Sequence, residues 1–219
     1  MSTWEKIDMA NWPRREHFEY YTKVLKIQYN MTANIKVEKL LDYCQQNGKK
    51  FYATLIYLVS KTVNSIDNFK MFQDKESNLC VWDHVVPNYT IFHNDDKTFS
   101  DCWSEYDSDF EVFYQAITCD MEKYKDVKGI KARQDQPANF YCVSAAPWTA
   151  FTSFNSRIVG GGLQFFPVIT MGKYERAGEH VLMPVNLNVI HAVCDGYHAG
   201  QFFDTLQREI DALTVDERI

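Results

Sequence analysis

No run of this sequence is apolar for long enough to cross a bilayer. Its most apolar stretch, "FYATLIYLVS" from residue 51, is too short to span and has polar flanks. The opening residues, "MSTWEKIDMANWPRREHF", carry acids and lack the apolar core of a secretory signal. The six cysteines, at positions 44, 80, 102, 119, 142 and 194, include no C-x-x-C pair. That scatter offers no close ligand pairs for zinc, so no metal is expected. Without a signal, the thiols are expected to stay reduced in a cytoplasm. Basic residues are not in excess: the net charge is −6, whereas a general nucleic-acid binder shows a basic face. There is no internal repeat and no low-complexity linker.

What is present is length and aromatic bulk. The 219 residues are long for one domain and short for two. A chain of that size buries roughly 70% of its unfolded surface, enough for a full core without disulfides. Aromatic residues make up 15% of the chain, which suits either a large core or an apolar ligand pocket.

Periodicity gives the elements. Pro13 opens a helix that continues through "RREHFEYYTKV". "IQYNMTANIKV" places Ile27, Tyr29 and Met31 on one side, as a half-buried strand does. "VEKLLDYCQQNGKK" reads as a helix closed by Gly48, and "FYATLIYLVSKTVNSI", apolar nearly all round, as a buried one. Strands follow at "LCVW" and "PNYTIFH". Residues 94–109 read as loop, "FEVFYQAITCDMEKY" as helix, and 125–139 as loop again. The last third is β-rich: "FYCVSAA", "FFPVITMGKY" and "HVLMPVNLNVIHAV", with a hairpin signal at "ERAG". Beyond Gly196 a closing helix presents Ala199, Phe202, Phe203, Leu206, Ile210 and Leu213 on one face. The expectation is one α/β (α+β) domain over residues 1–219, a two-layer sandwich with helices covering a mixed sheet.

His191 ends the last strand, where a ring projects from a rigid edge and can act as a general base near neutral pH. An isolated histidine is more often a satisfied core or interface group. Asp195, just before Gly196, fits a helix cap as well as a catalytic role. Ser144 and Thr170 sit in strands, where a hydroxyl can donate to a developing oxyanion. Ser144 lacks the G-x-S-x-G elbow of a hydrolase nucleophile. Cys194 neighbours His191 in sequence, but adjacent side chains on an extended segment diverge, so a small core residue is the better reading.

Five stretches in order, "NWPRREHFEY", "YTIFHNDDKTFS", "VSAAPW…F", "TMGKY" and "HAVCDGYHAG", resemble the chloramphenicol acetyltransferase family over about residues 4 to 213. H-x-x-x-D-G alone also occurs in dihydrolipoyl acyltransferases and peptide-synthetase condensation domains; the set of five is far more specific.

The resemblance implies that His191 takes the proton of an acceptor hydroxyl, which attacks the thioester of acetyl-CoA directly. Ser144 would hold the oxyanion, with Thr170 supporting through a water. Asp195 would pair with Arg14 to brace the histidine loop. Lys173, Tyr174 and Trp148 would lie along the CoA channel. Tyr20, Tyr21, Phe99, Ser156 and Ile158 would line the acceptor pocket. Family members are trimers with active sites between subunits, so His191 would face Ser144 of a neighbour. The expected localisation is cytoplasmic, with no membrane or nucleic-acid partner.

The sequence departs from the family in places. Ile190 stands where many members have a second histidine. Ser156 and Arg157 stand where Leu-Asn is usual, Asp101 replaces a small residue, and Lys131 falls about where an aromatic is common. An apolar acceptor wants apolar walls, and unpaired buried charge is costly. The readings that follow are acetyl transfer to chloramphenicol, the same chemistry on another hydroxylated molecule, a covalent enzyme using Ser144 or Cys194, and a binding protein without catalysis.

Overall fold

The computed structural model describes residues 2–157, 160 and 162–214. In chain order the elements are β1 (Trp4–Lys6), α1 (Arg15–Lys23), β2 (Gln28–Lys36), α2 (Glu38–Asn47), α3 (Phe51–Asn64), β3 (Met71–Gln73), β4 (Leu79–Trp82) and β5 (Val86–Phe92). They continue with β6 (Phe99–Trp103), α4 (Phe110–Tyr124), β7 (Phe140–Ala146), β8 (Val168–Gly172), β9 (Glu175–Ala177), β10 (His180–Ile190) and α5 (Gly196–Asp211).

A seven-stranded mixed sheet in the order β2-β10-β8-β7-β5-β6 organises the molecule, with β9 added to the start of β10. β5, β7 and β8 run parallel; the other pairs are antiparallel. Helices pack on one face, so the α+β sandwich expected from the sequence is what forms. At its centre lies α3, buried along most of its length because it is apolar on nearly every side. Its polar side chains are satisfied locally: Thr54, Ser60 and Thr62 donate to the carbonyls of Lys50, Ile56 and Leu58, and Ser60 Oγ also meets Tyr141 Oη at 2.7 Å. Gly48, at φ 61°, ends α2 in the left-handed conformation that glycine adopts without strain. Among the described residues no helix is long and apolar enough to cross a membrane.

One loop reading needs correction. Residues 94–109 contain β6, which forms a hairpin with β5 around a turn held by Thr98 N–H donating to Asp96 Oδ1 at 3.0 Å. Its alternation is masked because one face carries Ser100 and Cys102, both fully buried, while Phe99 on the other is 51% exposed. Within the loop at 125–139, residues 130–132 run along β6 and bridge Asp101 to Lys131. In a small second sheet, β1-β4-β3, β4 is the strand expected at "LCVW", while β1 and β3 escaped the reading because three-residue strands carry no periodic signal.

β10 is buried on both faces from Met183 to Ile190. One face meets the helices. The other is crossed by residues 151–157, a strap that leaves the end of β7 and is fastened by buried asparagines. Asn186 Nδ2 donates to the Phe154 carbonyl at 2.9 Å and Asn188 Nδ2 to the Ser156 carbonyl at 2.6 Å. Gly172 lets the strap approach: a Cβ there would lie 2.8 Å from the Phe151 ring and 2.6 Å from Pro184 Cγ.

Candidate active site

His191 follows β10 directly, its backbone N–H bonded to the Ile27 carbonyl at 3.0 Å. Its ring stacks on Tyr21 with centroids 4.0 Å apart and meets Tyr29 edge-on at 5.4 Å. Nδ1 lies 3.1 Å from the Cys194 carbonyl. A carbonyl only accepts, so Nδ1 carries the proton in the neutral ring and Nε2 keeps its lone pair. The tautomer of this histidine is therefore set by its own loop.

That loop is held in turn by Asp195. Its carboxylate caps α5 by accepting from Tyr197 N–H at 3.1 Å, and it forms an ion pair with Arg14, 181 residues earlier in the chain. Arg14 also reaches the His191 carbonyl at 3.5 Å. Partial burial alone would raise the Asp195 pKa; the hydrogen bond and charge of Arg14, joined by those of His198, whose Nδ1 lies 2.9 Å from Asp195 Oδ1, outweigh that, and the carboxyl is held below its ordinary value. The pair's stabilisation is therefore present above the unfolded value of 3.8 and fades as pH falls through the lower folded value. Asp195→Asn is expected to lose about 3 kcal/mol, the low end for a buried pair because Asp195 keeps 31% exposure. Arg14→Met combined with Asp195→Asn should lose clearly less than the sum of the two single changes. Thermal unfolding of the four proteins checks this, and strict additivity would show that the two side chains do not interact.

Cys194 is buried 3.8 Å from Tyr29 Oη. Burial pushes its thiol up to about 12, which keeps it protonated and unsuited to attack.

Ser144 and Thr170 are direct neighbours in register on β7 and β8, and Thr170 in turn faces Asn186 on β10. Alternation puts all three on the strap side of the sheet. Ser144 Oγ has no hydrogen-bond partner among the described residues and is free to donate. His191 lies five residues beyond Asn186, roughly 17 Å along the strand, and two strand spacings separate β10 from β7. Within one chain the histidine and the serine do not meet.

A cavity of about 720 Å³ opens at the far end of β7 and β8, between the sheet, α3 and α4. Lys173, Tyr174 and Trp148 line it together, with Ala145, the residue after Ser144, on its wall. Trp148 is 64% exposed at the mouth and packs edge-on against Phe92. Tyr20 sits beside Tyr21 on the His191 side, with rings 5.2 Å apart. Phe99 sits on the Ser144 side, on β6. Ser156 and Arg157 are exposed on the strap. Ile158 lies outside the described residues.

The sequence residues thus fall into two separate groups: His191, Tyr20, Tyr21, Arg14 and Asp195 at one end of the sheet, and Ser144, Thr170 and the lined cavity at the other. Sequence reasoning missed Tyr29, which meets the edge of the histidine, and the strap-fastening Asn186 and Asn188. The alternation "VNLNV", two amides in an otherwise apolar strand, was the available signal for the asparagines.

The chain matches the family model described as "Chloramphenicol acetyltransferase" over residues 2–207. It is 40% identical over 201 residues to a chloramphenicol acetyltransferase of Clostridium perfringens, covering 92% of each chain. It is 38% identical over 202 residues to chloramphenicol acetyltransferase 3 of Escherichia coli, covering 92% of this chain and 94% of that one. A solved chloramphenicol acetyltransferase superposes with a TM-score of 0.84 at 20% identity, covering 95% of this chain and all of that one.

Proposed function

The chain belongs to the chloramphenicol acetyltransferase family of acyltransferases, and from that premise we propose that it moves the acetyl group of acetyl-CoA to a hydroxyl of chloramphenicol, with His191 as general base and a role in antibiotic resistance. The observation that carries this reading is the His191 ring, whose Nδ1 proton is committed to the Cys194 carbonyl while Nε2 is left to accept.

Nε2 takes the proton of the acceptor hydroxyl as its oxygen attacks the thioester carbonyl carbon. The carbonyl π electrons move to oxygen, and the tetrahedral oxyanion accepts a hydrogen bond from Ser144, with Thr170 supporting through a water. The intermediate collapses, the C–S bond breaks, and the CoA sulfur takes the proton from the imidazolium. Ester and free thiol leave; the protein ends as it began. Such a base contributes about 10²–10⁴-fold and one oxyanion donor about 10²–10³-fold. Neither group needs a metal, because the thioester already supplies an activated acyl carbon.

CoA occupies the cavity lined by Lys173, Tyr174 and Trp148, which brings the thioester toward Ser144 past Ala145. Because His191 and Ser144 of one chain are so far apart, the working site pairs His191 of one subunit with Ser144 of the next, in a cytoplasmic homotrimer. Tyr20 and Tyr21 come with the histidine and Phe99 with the serine; with Ser156 on the strap, and Ile158 by family resemblance, they would enclose the acceptor. Arg14 and Asp195 position the histidine loop without touching substrate.

The test is acetyl-CoA consumption with chloramphenicol and a small panel of other alcohols. Consumption strongly favouring chloramphenicol supports the reading. If another alcohol is clearly the better acceptor, the same chemistry serves a different substrate; no consumption with any acceptor would refute acetyl transfer.

A further inference from the structure

Two of the three charged departures, Asp101 and Lys131, are 30 residues apart in sequence and meet in space. Lys131 Nζ lies 3.1 Å from Asp101 Oδ2 and 2.6 Å from Gln136 Oε1. The backbone locks the meeting: Asp101 N–H donates to the Ile130 carbonyl at 2.7 Å, and Ala132 N–H donates to the Asp101 carbonyl at 2.8 Å. The pair is therefore seated by the sheet edge and does not depend on two long side chains finding each other.

Register says where it faces. Tyr89 pairs with Val143 on the helix side of the sheet, so Thr90 and Ser144, one residue on, face the opposite side. Thr90 pairs with Asp101. Asp101 thus stands on the face of Ser144 and Thr170, two strand spacings or about 10 Å from Ser144. The charges reach β7: burial pushes the Cys142 thiol up to about 11, Asn88 lowers it by hydrogen bonding, and of the charges Asp101 raises it and Lys131 lowers it. The strap's hydrogen bonds to the sheet fall on β10 and β2, at Asn186, Asn188 and Asn30. On the β6 side Phe99, two residues before Asp101 on the same face, is 51% exposed. An acceptor approaching Ser144 from that side passes over Phe99 and Asp101.

We propose that the Asp101–Lys131 pair is a specificity element of the acceptor site, selecting neutral acceptors that carry a hydrogen-bonding group about 10 Å from the hydroxyl to be acetylated. Asp101 Oδ1 has no hydrogen-bond partner among the described residues and can accept; the Lys131 ammonium can donate. An apolar group placed there would remove water from both charges and return nothing. The proposal rests on Ser144 acting as the oxyanion donor.

The experiment measures kcat/KM for two series of chloramphenicol analogues, one varied at the aryl para position (nitro, amino, hydrogen) and one at the acyl group (dichloroacetyl, hydroxyacetyl, propionyl). It compares the unaltered protein with Asp101→Ala/Lys131→Leu; both charges are removed together because a single change leaves the other unpaired. In one series the polar members should be favoured over the apolar member, and the double variant should reduce that preference by about tenfold, as loss of a site's polar partners does. KM for acetyl-CoA should stay put. A change below about threefold in both series would overturn the proposal. Circular dichroism and an unchanged acetyl-CoA KM show that the variant is folded; if it is not, the milder Asp101→Asn/Lys131→Met carries the same test. Ser144→Ala separates this proposal from the reading beneath it: full turnover in that variant refutes the oxyanion role, whereas altered selectivity with Ser144 intact belongs to the pair alone.

Discussion

Replacing His191 with alanine is expected to lower kcat by about 10³-fold or more while leaving CoA and acceptor affinity within a few-fold, since a general base acts on the barrier far more than on ground-state binding. The expectation follows from the ring's surroundings. Tyr21 and Tyr29 fix its plane, and the Cys194 carbonyl holds the Nδ1 proton, so the lone pair is aimed by structure before any substrate arrives. The removed side chain leaves a gap between two tyrosines that keep their own packing, so the fold should survive. kcat alongside equilibrium binding of CoA checks it. A variant with more than about a tenth of the original kcat would exclude His191 as the base.

Ser144→Ala is expected to lower kcat by about 10²-fold and to change KM little, the signature of one donor used only in the transition state. Ser144 donates to no group among the described residues, so its loss orphans no buried partner, and thermal stability should barely move. Because His191 of a neighbouring subunit could in principle activate this serine as a nucleophile, the rate loss alone does not fix its role. Incubation with labelled acetyl-CoA and no acceptor separates the two. Direct transfer leaves the protein unlabelled; stable label on Ser144 would mean an acyl-enzyme.

Legibility followed locality. The turn after β10 could be read at once, because Asp195, Gly196 and the periodic face of α5 lie within a few residues of one another. So could the hairpin at "ERAG", whose strands pair Glu175 to Ala177 with His180 to Leu182. β6 could not: its polar turn looks like loop, and it is a strand because Ser100 and Cys102 find burial under the helices, a tertiary fact. The Arg14–Asp195 pair spans 181 residues and came only from likeness to a known family. Asp101 and Lys131 each looked like a lone anomaly; only the bridge between β6 and residues 130–132 makes them a unit. The division of the site into two ends of one sheet was also hidden, because strand order, not sequence order, sets the distance between His191 and Ser144.

That distance is the centre of the account, and mixing two inactive proteins tests it most directly. Chains carrying His191→Ala and chains carrying Ser144→Ala are co-expressed in equal amounts, and the mixed oligomers are assayed. If each site takes its histidine from one subunit and its serine from the next, about a quarter of the sites in a randomly assembled trimer contain both intact residues. Activity should then return to about a quarter of that of the unaltered protein, far above either variant alone. Activity no greater than the average of the two separate variants would place histidine and serine action within one chain, and would contradict the shared site.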